Sequence, residues 1–283
     1  IREEVVTSTT VYIGTDGNIL EEIPKNCNVL QVNNPILTNT DLMKIKSMKA
    51  DGFKVEVIPI TYYKNTSLEK AIDRLFVEVD RAYRDGVNIM ILSDRGVDEN
   101  HVAIPSLLAV SALNQHLVVT KKKTSVALIL ESGEPREVHH FATLLGYGAC
   151  AINPYLAQDS IRELIDNHML DKDYYAAVED YNNAILHGIV KIASKMGIST
   201  IQSYEGSQIF EAIGIDRTQV ETSVSYLDHN LLYLDNKTPD DHIYLQSVAK
   251  RFGVHVSRPG NGICHTVHVS RFGAPGKISM GGD

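Results

Sequence analysis

The sequence predicts an α/β protein, a parallel sheet or partial barrel in which strands and helices alternate. Three observations carry this expectation. Between about residue 28 and residue 157, short β-branched apolar runs alternate with longer segments of helical period. Those runs are near-continuous Val, Ile, Leu and Ala, the pattern of strands that helices cover on both faces. Of the 283 residues, 43% are hydrophobic and 22% charged, which supplies a packed core and rules out general disorder.

The strands are expected at 29–32, 55–60, 87–92, 125–130 and 150–153. The clearest crossover helix is 67–85, where Leu68, Ala71, Ile72, Leu75, Phe76, Val79 and Ala82 share one face. Thr66 and Glu69 are placed to form a capping box, and Gly86 to supply the left-handed exit. Pro105 suits the first turn of a helix over 107–119, and Glu134-Pro135 the start of one that ends before Gly146. From 171 to 195 the apolar spacing predicts one long helix, or two joined near Gly188. A short strand at 199–203 and a short helix at 207–213 follow. After Ile215 the texture changes: five of the eleven histidines lie beyond it, with a Gly- and Pro-rich stretch from 258 to 282. The expected domains are therefore 1–215 and 216–283, the second a short α/β tail that packs poorly.

Composition bounds the function. A net charge of −8 argues against a protein that coats nucleic acid. No apolar run approaches the roughly 20 residues of a membrane-spanning helix. Cys27, Cys150 and Cys264 lie far apart with no Cys-x-x-Cys pair, which argues against a disulfide framework or a local zinc site and fits a reducing cytoplasm. The chain opens at Ile1 with no visible targeting pattern and reads as a piece of something longer.

Two strand-end loops carry candidate chemistry. Ser93-Asp94-Arg95-Gly96 and Glu131-Ser132-Gly133-Glu134-Pro135-Arg136 each follow an expected strand, where parallel sheets present ligand groups. Ordinary capped loops with an Asp–Arg pair account for the same residues. His139 and His140 are adjacent and do not share a helix face, so they lack the spacing of a helical zinc motif. No glycine-rich nucleotide loop appears. Lys121-Lys122-Lys123 reads as a solvated helix exit. In the tail, Asp228-His229 and His265, the latter after the turn 258–262, could bring acid–base groups beside an anion-binding backbone.

Long ordered motifs carry a resemblance over about residues 1–215. They are Asn34-Pro35-Ile36-Leu37-Thr38, Leu92-Ser93-Asp94-Arg95-Gly96, Ile104-Pro105-Ser106-Leu107-Leu108-Ala109-Val110, Ser132-Gly133-Glu134-Pro135-Arg136-Glu137-Val138-His139-His140-Phe141, Leu145-Gly146-Tyr147-Gly148-Ala149, Ile152-Asn153-Pro154-Tyr155-Leu156 and Ser194-Lys195-Met196-Gly197-Ile198-Ser199-Thr200. This part resembles the central region of the glutamate synthase large subunit. The resemblance implies an enzyme that moves the amide nitrogen of glutamine to 2-oxoglutarate in glutamate biosynthesis. It also implies partner domains on the same polypeptide, an amidotransferase and an FMN barrel with an iron–sulfur cluster. The central region would be a non-catalytic connector between them, with no cofactor or metal of its own.

The last 68 residues depart from that pattern. Val224-Ser225-Tyr226-Leu227-Asp228-His229-Asn230, Asp240-Asp241-His242, Ser257-Arg258-Pro259-Gly260-Asn261-Gly262-Ile263-Cys264-His265 and Arg271-Phe272-Gly273-Ala274-Pro275-Gly276-Lys277 resemble the first domain of aconitase, a hydro-lyase with a [4Fe-4S] cluster. That resemblance implies catalytic roles for Asp228, His229, His265 and Asp283, in a site that lacks the cluster's cysteine ligands and the later substrate-binding residues. The stretch from Phe210 to Ile215 fits both families, so a join there implies a chimera of two coding regions.

Overall fold

A computed structural model describes residues 2–18, 20–210, 224–226, 237–252 and 254–258. The chain divides into two compact units, Ile1–Gln208 and Ile209–Asp283.

The first unit begins with α1 (Arg2–Val6), β1 (Val11–Gly14), β2 (Val29–Val32) and α2 (Asn39–Lys46). β3 (Val55–Pro59), β4 (Thr61–Tyr63), α3 (Leu68–Arg84), β5 (Ile89–Ser93), β6 (His101–Ala103), α4 (Ser106–Val119) and β7 (Ala127–Glu131) follow. The unit ends with α5 (Val138–Gly146), β8 (Ala151–Asn153), α6 (Tyr155–Asp166), α7 (Tyr174–Lys195) and α8 (Ile201–Tyr204). β3, β5, β7 and β8 form one parallel sheet in that order, and α3, α4 and α5 cross between successive strands. The α/β class and the parallel sheet are as the sequence predicts. Every residue of β5, β7 and β8 is buried, so burial on both faces explains why these strands read as unbroken apolar runs. Beyond β8 the chain at Pro35–Leu37 adds a further parallel rung: the Leu37 amide donates to the Ile152 carbonyl at 2.8 Å, and the Ile152 amide to the Pro35 carbonyl at 2.7 Å.

Several elements differ from expectation. The strand at 29–32 exists, but it pairs antiparallel with β1 outside the parallel sheet. Its residues are half-buried or exposed, and β1 supplies the buried side of that pair. The cap of α3 is Ser67, which accepts from the Lys70 amide, because the helix begins one residue later than a Thr66 cap requires. Gly86 has φ +84° and closes α3 as predicted. α5 starts at Val138, since the Glu134 amide and carboxylate are engaged with Ser132 and Ser106. The predicted strand at 199–203 is instead the short helix α8, capped by Thr200 onto the Ser203 amide. Residues 207–210 are not helical, and 211–213 lie outside the described residues.

α7 is one helix of 22 residues that passes through Gly188 unbroken and packs on α5 and α6. A Cβ at Gly188 would lie 2.5 Å from Val138 Cγ2 and 2.6 Å from Cγ1, so the glycine permits the close crossing of α7 over α5. Gly188→Ala is therefore expected to destabilise by about 1–3 kcal/mol, because overpacking outweighs the helix-propensity gain of roughly 1 kcal/mol. Thermal unfolding by circular dichroism checks this, and a raised Tm would refute the packing explanation.

In the second unit, β9 (Val224–Tyr226) and β10 (His255–Ser257) pair in parallel, with α9 (Lys237–Phe252) between them in sequence. That is one βαβ unit, in keeping with an α/β tail.

Candidate functional site

The two strand-end loops picked out in the sequence meet at the C-terminal edge of the parallel sheet. The register makes this inevitable, since Ser93 at the end of β5 lies beside Glu131 at the end of β7. Glu131 is 3% exposed, and three groups satisfy its carboxylate. Lys46 Nζ and Ser93 Oγ each donate to Oε2 at 2.7 Å, and Arg95 Nε donates to Oε1 at 2.8 Å. Burial opposes ionisation of Glu131, but the hydrogen bonds from Lys46, Ser93 and Arg95 outweigh it and hold the carboxyl below its ordinary value.

Asp94, 5% exposed, organises the neighbouring half of the edge. Its Oδ2 accepts from Ser132 Oγ at 2.7 Å and from the Gly133 amide at 2.9 Å. Ser132 Oγ also lies 2.6 Å from Ser106 Oγ and accepts from the Glu134 amide. The Ser106 amide at the start of α4 donates to Glu134 Oε2 at 3.1 Å, which places a carboxylate on an open helix N-terminus that Pro105 does not cap. The Arg95 guanidinium sits 3.8 Å from the ring centroid of Tyr155, in the first turn of α6. Burial first, and then the neighbouring Asp94 carboxylate, push the Tyr155 phenol up to about 12.

β8 closes the edge. The Asn153 amide nitrogen donates to the Leu37 carbonyl and to Asn39 Oδ1, each at 3.0 Å. Gln158 donates to the same Leu37 carbonyl and accepts from the Asn39 amide. Two buried side-chain oxygens at this edge, Asp94 Oδ1 and Asn153 Oδ1, accept no hydrogen bond. Both are acceptors, so the unmet demand of the edge is for donors, not for an anion.

The sequence singled out Ser93–Gly96 and Glu131–Arg136, carried Ser106, Asn153 and Tyr155 only inside longer motifs, and missed Lys46 and Gln158. The polar pair Asn153 and Tyr155 around Pro154, directly after an apolar run, was the available signal. His140 accepts from the Arg136 amide at 3.1 Å and lies 3.5 Å from Glu137, so it belongs to its own helix turn. The lysine run is not simply solvated. Lys122 pairs with Asp80 at 2.7 Å and Lys123 with Glu205 at 3.0 Å, while Lys121 closes α4 with φ 58°. Asp228, His229, His265 and Asp283 lie outside the described residues, as do Cys264 and most of the turn after Arg258.

The edge carries the carboxylates of Asp94, Glu131 and Glu134 against the two cations Lys46 and Arg95. Among the described residues no group of three or more side chains could hold a metal ion, and no helix is long and apolar enough to cross a membrane.

Comparison with known proteins gives consistent matches. Residues 1–216 match the family model described as glutamate synthase central domain. The glutamate synthase [NADPH] large chain of Bacillus subtilis is 42% identical over 238 residues, covering 84% of this chain and 16% of the relative. The chloroplastic ferredoxin-dependent glutamate synthase of Oryza sativa is 34% identical over 287 residues, covering 92% of this chain and 18% of the relative. The chain thus spans less than a fifth of the length of these relatives. Among solved structures, a mutant flavocytochrome b2 with benzoylformate aligns at a TM-score of 0.41 and 15% identity, over 71% of this chain and 46% of that one.

Proposed function

Because the chain belongs to the glutamate synthase central domain family, we propose that it serves as the non-catalytic scaffold of a glutamate synthase large chain. In this reading it holds an amidotransferase domain and an FMN domain of the same polypeptide in register. The glutamine-to-2-oxoglutarate nitrogen transfer, the FMN and the iron–sulfur cluster belong to those other domains. The observation that carries the reading is the Glu131 clamp. At the sheet edge where parallel α/β enzymes bind ligands, this chain fills the space with its own ion pairs. A substrate dicarboxylate would find both cations already charge-paired with Glu131 and could reach only their remaining donors. Separate calorimetric titrations of the 283-residue chain with glutamine, 2-oxoglutarate and FMN are expected to give no heat beyond dilution. A saturable heat with any one of them would overturn the scaffold reading.

A second reading concerns the tail, as an aconitase-like hydro-lyase fragment acting on citrate- or isocitrate-type tricarboxylates through Asp228, His229, His265 and Asp283. Its support is the sequence resemblance that carries Asp228, His229, His265 and Asp283. The rice match weighs the other way, since it covers more of the chain than residues 1–216. Sequencing source DNA across the codons for 210–215 decides whether one coding region spans the join. A continuous product would make the fusion natural and put Asp228, His229 and His265 to the test in this protein, whereas separate flanks for the two halves would make the chain two fragments and remove the hydro-lyase reading.

A further inference from the structure

α4 carries no Asp, Glu, Lys or Arg along its 14 residues, although one side of it faces outward. Ala109, Val110, Leu113 and Leu117 turn inward to the core. The outward side holds Leu107 and Leu108 at 38% exposure, Val118 at 49% and Val119 at 68%. Between these two apolar ends lie the half-buried Ser111 and Ala112 and the exposed Gln115. His116, the one titratable side chain of the helix, is taken up by Asp80 on α3 at 2.9 Å. The outer face of a surface helix ordinarily carries charge. An apolar, uncharged stripe in its place marks a contact surface.

The order of residues in the stripe identifies what fits it. Leu108, Ser111, Gln115 and Val118 recur at the three-four-three spacing of a helix-pairing seam. Positions 107 and 119, 108 and 118, and 111 and 115 lie equally far on either side of Leu113. Turned end for end, the stripe therefore sets Leu107 and Leu108 against Val119 and Val118, and Ser111 against Gln115. That is the self-complementarity of a two-fold interface, in which one patch meets itself. The charges at the two ends agree with it. The exposed Glu134 accepts from the Ser106 amide at the first turn, and the exposed Lys121 follows the last turn. Antiparallel pairing turns each Glu134 toward the other copy's Lys121 and opposes the two helix dipoles. We propose that α4 pairs antiparallel with α4 of a second copy of this chain, about a two-fold axis level with Leu113. One face of a 14-residue helix is small for an interface, so the dimer dissociates in the micromolar range, about 1–100 μM. The pairing is a property of this helix and stands whether or not the chain serves as a scaffold.

Sedimentation velocity of the 283-residue chain over about 1–300 μM should show a reversible monomer–dimer equilibrium. Leu107→Glu and Val119→Lys should each weaken the dimer at least ~30-fold, because each sets a charge against an apolar residue of the other copy. Both positions are exposed, so far-UV circular dichroism of either variant should match the parent. Mixed one to one, the two variants should associate at least ~10-fold more tightly than either does alone, since Glu then faces Lys across the two-fold axis and the other Leu–Val contact is native. A parent chain that stays monomeric to about 300 μM would overturn the proposal. So would a dimer that neither substitution weakens, or a mixture no tighter than its separate components.

Discussion

Glu131→Ala is expected to destabilise the first unit by about 3 kcal/mol. The substitution leaves Lys46 and Arg95 facing each other without the carboxylate that both donate to, and it strips Ser93 of its acceptor. Breaking a buried pair by removing one partner costs roughly 3–5 kcal/mol. Lys46 at 29% and Arg95 at 47% side-chain exposure can recover some hydration, which sets the expectation at the lower end. The pH dependence gives a second signature. The folded-state value of Glu131 is depressed below its ordinary 4.5, so its stabilisation is fully present above that value and is lost as pH falls through the folded value. Acid unfolding monitored by circular dichroism should therefore be less steep below about pH 4.5 for Glu131→Gln than for the parent chain. An unchanged acid slope would contradict the clamp.

Phe141→Ala should cost about 3–5 kcal/mol, the other large effect. Phe141 is 0% exposed on α5, which packs on α4 and α7, so alanine leaves a cavity in that core. Urea unfolding of the two chains measures the difference, and a loss under about 1 kcal/mol would mean that α5 packs loosely.

The core of the fold was legible because burial on both faces writes itself as unbroken apolar runs. β5, β7 and β8 were readable for that reason, and α3 because its apolar face and Gly86 exit agree. The small elements were not. β4 and β6 are three residues each and are stabilised by pairing with one another, a contact that sequence spacing does not encode. α6 has apolar residues at helical spacing, Leu156, Ile161, Leu164 and Ile165, and went unread although the pattern was there. At 199–203 the β-branched residues suggested a strand, but the Thr200 cap decided for a helix. The site was half legible. Each loop announced itself after its strand, but the pairing of Arg95 with Glu131 follows from the lateral register of β5 and β7, and Lys46 arrives from a helix 85 residues away in sequence.

The most direct test of the scaffold account is to place Asp94→Asn and Glu131→Gln separately in the full polypeptide. Glutamine hydrolysis and 2-oxoglutarate-dependent glutamate formation are then measured per folded molecule. The account predicts that both activities stay within about twofold of the parent once folded fraction is normalised, since these residues touch no reacting atom. A drop of about a hundredfold in one partial reaction, with the fold intact and the other reaction preserved, would place this edge in the catalytic machinery and contradict the account.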